Sequence, residues 1–114
     1  MMRRTHRMMT DEESYNSKKQ RTRWDLADWS FFREICEVLS DGAVKYSENG
    51  WQRMEEPDKM YFSAAVRHLD KWKEGSKLDD GEGGDNKSHL VHAACNLMFL
   101  YWFDKKAESD GPKA

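Results

Sequence analysis

The chain has little with which to staple or interrupt itself. It carries two cysteines and two prolines in 114 residues. Cys36 and Cys95 each fall inside a helical apolar pattern, so they make neither a disulfide framework nor a CxxC site. They read as small reduced core residues of a cytoplasmic protein. No apolar run approaches the roughly 18 residues that span a bilayer, so no membrane partner is expected. The basic N-terminus lacks the apolar stretch of a secretion signal. Strand alternation and internal repeats are missing. No P-loop, GxGxxG, GxSxG or HExxH is found. Neither cysteine belongs to a recognisable Cys-His motif, which leaves nucleophilic catalysis without a constellation.

What is present is uneven. Charged residues make up 35% of the chain and the mean hydropathy is -1.02. Those averages alone would suggest disorder, but 12% of residues are aromatic and five are Trp. The length is that of one domain. Residues 1–23 hold seven Lys/Arg against three Asp/Glu, and the remainder holds 12 against 18. Residues 1–23 also lack periodicity and read as a flexible basic tail. An acidic domain over 24–106 follows, and 107–114 read as a C-terminal tail. The acidic balance suits divalent cations better than duplex nucleic acid, so nucleic acid is not an expected partner.

Three helices are predicted, making the domain all-α. Helix one runs from about Asp28, its cap, to Tyr46, with Phe32, Ile35, Leu39, Ala43 and Tyr46 in one stripe. Helix two runs from about Asp58 to Glu74, started by Pro57 and stopped by Gly75. Its expected buried face is Phe62, Ala65, Val66, Leu69 and Trp72. Residues 75–87, with four glycines and four acids, read as a mobile acidic loop that fits no EF-hand frame. Helix three runs from about Ser88, its cap, to Lys106. It is apolar on most sides and therefore belongs at a bundle centre or a subunit interface. So thin a core calls for a partner, and homo-oligomerisation is the simplest supply.

Four groups could carry chemistry. Glu34, Glu37 and Asp41 share a face of helix one, and two carboxylates one turn apart can hold Mg²⁺ or Mn²⁺; a solvated charge stripe is the plainer alternative. His89, His92 and Asn96 line one side of helix three. Three polar groups on an apolar helix suit a wet or metal-containing pocket, or else caps and interhelical bonds. His68 tilts inward on helix two, where a satisfied core hydrogen bond is the commoner role for a lone histidine, and Arg67 beside it can clamp phosphate or pair with Asp70 or Glu74. Trp51, with Tyr46 and Lys45, suits a base and its phosphates, or simply core packing. Metal-assisted attack by water is the reaction type these groups serve best.

Together they form a longer pattern. It comprises Arg23-Trp24-Asp25-Leu26, Glu34-x-x-Glu37-Val38-Leu39, Gly42-Ala43-x-Lys45-Tyr46 and Asn49-x-Trp51. Arg67-His68-Leu69, Gly75 and His89-Leu90-x-His92-Ala93-Ala94-x-Asn96 complete it. Over about residues 22–103 this resembles the phage and bacterial family named for dATP/dGTP diphosphohydrolase, N-terminal type. That family is similar to the MazG-type all-α pyrophosphatases. The resemblance implies a MazG-like three-helix bundle completed as a dimer or tetramer. It implies Mg²⁺ held by an ExxE and an ExxD pair, and cleavage between the α and β phosphates. This sequence has ExxE at Glu34 and Glu37 but no ExxD. His89 and His92 stand where the second pair should fall. Alternatively, Arg67-His68 takes the first-pair place and the helix-one ExxE is a separate feature. Imidazole ligands bring Mn²⁺, Co²⁺ or Zn²⁺ into range.

The expected function is a phage-encoded, metal-dependent hydrolysis of dATP or dGTP to monophosphate and pyrophosphate. Glu34, Glu37 and His92 would be catalytic, and Glu34, Glu37, His68, His89 and His92 would hold metal. Lys45, Tyr46, Trp51, Arg67 and Asn96 would contact the nucleotide. Two alternatives of other classes are a scaffold that sequesters a nucleotide without hydrolysing it and a pure interaction module. The polar stripe on helix three speaks against the module, since interface cores are depleted in charge.

Overall fold

The computed structural model describes residues 8–111. Four helices lie in it: α1 (Asp11–Gln20), α2 (Trp29–Lys45), α3 (Pro57–Lys73) and α4 (His89–Asp110). Short 3-10 turns at Trp24–Leu26 and Gly50–Arg53 precede α2 and α3. Among the described residues there is no sheet, only one isolated antiparallel bridge between Leu78 and Ser88. None of the helices is long and apolar enough to cross a membrane.

The local signals act as the sequence suggests. Asp28 caps α2, its carboxylate accepting from the Ser30 N–H at 3.0 Å. Ser88 caps α4, accepting from the Leu90 N–H at 3.0 Å. Pro57 sits in the first turn of α3. Gly75, at φ +106°, ends that helix, and the N–H groups of Gly75 and Ser76 return to the carbonyls of Trp72 and Lys71. A left-handed residue followed by these two bonds closes a helix cleanly, and glycine adopts that conformation without Cβ strain.

Part of each expected tail is helical. Residues 1–7 and 112–114 lie outside the described residues. Within the first tail, α1 forms without an apolar stripe. Asp11, Glu12 and Glu13 occupy its first turn, where the helix dipole favours negative charge, and the Thr10 hydroxyl accepts from the Glu13 N–H. At the other end α4 continues to Asp110. Lys105–Glu108 and Lys106–Asp110 pairs lie along its last turns, a spacing that supports exposed helix.

The helix α4 is the centre, with α3 along one side and α2 along another. It buries His89, Val91, Ala93 and Cys95. An aromatic cluster joins it to the rest. Trp51 stacks on Phe99 with centroids 4.7 Å apart, and Tyr61 lies 4.8 Å from the same ring. Trp51 also meets Trp102 edge-on at 5.2 Å. The Tyr61 hydroxyl donates to the Trp51 carbonyl at 2.8 Å, fastening the Gly50–Arg53 turn to α3.

The expected burial of α2 and α3 needs correction. No residue of α2 is fully buried. Ile35, Leu39 and Ala43 are half-covered, whereas Phe32 and Tyr46 are exposed. On α3 the side facing α4 carries Tyr61, Ala65 and His68. Phe62, Val66 and Leu69 are 53%, 49% and 42% exposed. The apolar pattern of α3 is therefore wider than one neighbour can cover, and half of it stands open in the single chain.

The aromatic cluster sets the stability of the bundle. Phe99→Ala should cost about 3 kcal/mol, as large-to-small core changes do. Tyr61→Phe should cost about 1 kcal/mol, the net worth of one hydrogen bond. Urea unfolding monitored by circular dichroism gives both values. A smaller loss for Phe99→Ala than for Tyr61→Phe would contradict the anchoring role.

Candidate metal centre

The acidic loop expected to be mobile is cross-tied at its base. The His89 N–H donates to the Lys77 carbonyl at 2.9 Å, Asp79 N–H to Lys87 at 2.8 Å, and Asn86 N–H to Asp79 at 2.9 Å. Asn86 takes φ 62° to make the turn, a conformation asparagine tolerates better than most residues. Gly84 lies against the opposite limb. A Cβ there would stand 2.2 Å from the Asp79 carbonyl oxygen, so only glycine lets the limbs close. The hairpin is pinned from below as well. Lys77 Nζ sits 3.8 Å over the Trp72 ring and donates to the Trp72 carbonyl.

This hairpin carries Asp79 and Asp85 to the start of α4, where three histidines meet. His89 opens the helix and is 1% exposed. Its Nδ1 lies 2.8 Å from Nδ1 of His68 on α3. One turn on, His92 stacks against His68, rings 4.9 Å apart and 18° from parallel. His92 Nε2 stands 2.9 Å from Asp85 Oδ1 and 3.8 Å from Asp79 Oδ2. Two overlapping triads result, His68–Asp79–His89 and Asp79–Asp85–His92, each with ligand atoms within 4.8 Å of one another.

The electrostatics keep the His68 imidazole available. Burial pushes the His68 pKa down to about 4, helped by His92, His89 and Arg67 and opposed by Asp79. A neutral imidazole is the metal-binding form. Burial pulls the Asp85 carboxyl upward, but the His92 ring and the Lys87 N–H outweigh it and hold the pKa below the usual range. Burial raises the Cys95 thiol to about 11. It stays protonated and is no thiolate ligand at neutral pH.

The donor set fits a divalent ion. Three imidazoles and two carboxylates suit Mn²⁺, Co²⁺ or Zn²⁺ better than Mg²⁺, which prefers oxygen alone. The 2.8 Å between the two Nδ1 atoms must widen only slightly. Two nitrogens at about 2.0–2.1 Å from a tetrahedral ion lie about 3.3 Å apart.

The structure thus brings His68, His89 and His92 together and adds two residues that sequence reasoning missed. Asp79 and Asp85 were read only as loop acids. Asp85, four residues ahead of His89 and seven ahead of His92, offers a signal in its spacing, and Asp79, ten and thirteen ahead, offers none. Glu34 and Glu37 stand outside both triads. Glu37 Oε1 accepts from Lys87 Nζ at 2.9 Å. That bond raises the Lys87 pKa, and the charges of Glu37, Glu34 and Asp85 add to it. Asn96 turns inward on its own helix, donating to the His92 carbonyl at 2.8 Å. Arg67 is exposed beside His68. Lys45 lies 5.7 Å over the Tyr46 ring. Tyr46 and Trp51 line an open groove of about 950 Å³ that also reaches Leu39, Tyr61 and Phe99.

Comparison with known proteins places the chain in a family. The family model for the dATP/dGTP diphosphohydrolase N-terminal domain matches residues 10–111. A dATP/dGTP diphosphohydrolase of Salmonella phage PMBT28 is 32% identical over 77 residues, covering 68% of this chain. The aligned part is 25% of that relative's length, so the chain corresponds to about a quarter of it. No solved structure matches. The chain belongs to the dATP/dGTP diphosphohydrolase N-terminal family.

The depressed His68 pKa makes the metal-free fold acid-sensitive. The unfolded chain takes up this proton near pH 6.5 and the folded chain only near pH 4. The contribution is therefore complete above pH 6.5 and is lost as pH falls through that window. With a chelator present, the melting temperature should drop between pH 6.5 and 4, and His68→Gln should flatten that slope. An equal slope in both proteins would contradict the assignment.

Proposed function

We propose that this family member is a metal-dependent hydrolase of dATP and dGTP, releasing the monophosphate and pyrophosphate. The observation that carries the reading is the convergence of His68, His89 and His92 with Asp79 and Asp85. A divalent ion there would supply a Lewis acid and a water of lowered pKa. The relative encoded by a phage supports the same origin for this chain.

The chain's own residues would divide the remaining work. Tyr61 and Phe99 line the groove, and each lies seven residues from a histidine of the cluster, His68 and His92. That is about 10 Å along a helix. The base would lie in the groove against Tyr46, with Trp51 as its floor, because the Trp51 ring already stacks on Phe99. The phosphates would extend toward the histidines. Arg67 and Lys45 would neutralise them, since phosphoryl chemistry rests on positioned charge. Asp85 and His92, with Oδ1 and Nε2 2.9 Å apart, would hold the ion together, and Asn96 steadies the turn of α4 beneath it. Glu34 and Glu37 would receive the cation that accompanies the triphosphate, once Lys87 releases Glu37.

The Lys87–Glu37 bond also favours a second reading, nucleotide binding without turnover. Product analysis separates the two. Incubation with each dNTP and NTP and with Mg²⁺, Mn²⁺ or Co²⁺ should yield monophosphate and pyrophosphate from dATP or dGTP. Glu37→Gln should reduce that turnover at least 100-fold and leave the circular dichroism spectrum unchanged. Stoichiometric binding with no product across the panel would favour sequestration.

We also propose that the exposed Phe62, Val66 and Leu69 face another copy of the chain. Exposed apolar patches of this kind mark interaction surfaces. Light scattering should give a dimer or tetramer of the 13.5 kDa chain. A monomer at all accessible concentrations would contradict it.

A further inference from the structure

Two short contacts in the histidine cluster have the same character. His68 Nδ1 and His89 Nδ1 lie 2.8 Å apart, and His92 Nε2 and Asp85 Oδ1 lie 2.9 Å apart. Each is a pair of lone-pair atoms held together by one proton. Replacing that proton by a cation turns each pair into two ligands. Asp79 belongs to both triads, and a carboxylate has two oxygens with which to serve two ions.

We infer that the cluster is a dinuclear centre with Asp79 as the bridge. One ion takes His68 and His89, the other Asp85 and His92. A bridging carboxylate spans the about 3.5–4 Å that separates paired ions in phosphate-cleaving sites. The ligand chemistry also balances. The three imidazoles bind as neutral groups and the two carboxylates bring two negative charges. Two divalent ions therefore leave the site net positive and open to an anionic phosphate chain. The hairpin explains why Asp79 can reach both. Its N–H and carbonyl are both bonded across the hairpin, to Lys87 and Asn86, so its position is set by backbone and not by the metal. Both ions take nitrogen as well as oxygen, which points to Mn²⁺, Co²⁺ or Zn²⁺ as the natural pair.

The inference deepens the proposed metal-dependent hydrolysis, and its test reads metal content, not turnover. Metal-free full-length protein is titrated with Mn²⁺, and bound metal is counted after gel filtration. Electron paramagnetic resonance of the loaded protein is recorded beside it. Two ions per chain with a spin-coupled spectrum are expected. Asp79→Asn should abolish the coupling. Asp85→Asn should lower the count to one, so the test survives if either variant fails to fold. One ion per chain, two magnetically isolated ions, or no retained metal in the parent protein would each overturn the dinuclear centre. Metal-dependent turnover with a single ion would leave the proposed function standing, and two coupled ions without any product would leave the centre standing alone.

Discussion

The contact between His68 and His89 is the constraint on which the rest of the arrangement depends. His89 is 1% exposed at the first position of α4. A polar group buried there without a partner would cost about 1–3 kcal/mol. Its ring partner comes from α3, so satisfying His89 fixes the end of α3 against the start of α4. The backbone N–H of His89 bonds to Lys77, which brings the hairpin to the same point. Three segments are thereby held at one place, and His92 and Asp85 meet as a consequence. Gly84 serves that geometry from a distance, because any side chain there would strike the Asp79 carbonyl.

At the other end of the bundle the hydrophobic effect does the corresponding work. Trp51, Tyr61, Phe99, Trp102 and Phe103 form a continuous aromatic contact. Such rings bury large areas and favour the stacked and edge-on geometries found here. Of these rings only Tyr61 is fully buried, and the other four are half-covered. Trp29, Phe32, Phe62, Val66 and Leu69 remain exposed. A chain this small seldom supplies a sufficient core alone. The polar cluster and the aromatic cluster hold α3 and α4 at their two ends, while α2 depends on half-buried contacts.

Much of the fold was legible in the sequence, because local rules wrote it. Asp28, Ser88, Pro57 and Gly75 act at the positions their chemistry assigns. The family resemblance, carried by Gly42-Ala43-x-Lys45-Tyr46 and Arg67-His68-Leu69, held. Helical spacing tilts His68 inward and puts His89 and His92 on one side of α4, but it does not say that the three meet. Asp79 and Asp85 were not legible beside them, since their placement depends on hairpin hydrogen bonds that leave no periodicity. Phe62, Val66 and Leu69 show the opposite error. Their spacing marks an apolar face correctly but does not say whether this chain or another covers it. Trp51 had two readings, base stacking and core packing, and its ring lies on Phe99. The helix α1 escaped notice because its support is charge at the first turn and a Thr10 cap, not an apolar stripe.

The central claim is that histidine nitrogen, supplied jointly by α3 and α4, binds the metal. Pulsed electron paramagnetic resonance of the protein loaded with one equivalent of Mn²⁺ tests this most directly, because it detects ¹⁴N bonded to the ion. Imidazole nitrogen coupling that is present in the parent protein and weakens in His89→Gln, where His68 and His92 remain, is the result this account predicts. Bound Mn²⁺ with oxygen ligands alone would contradict it and would return the metal to Glu34 and Glu37.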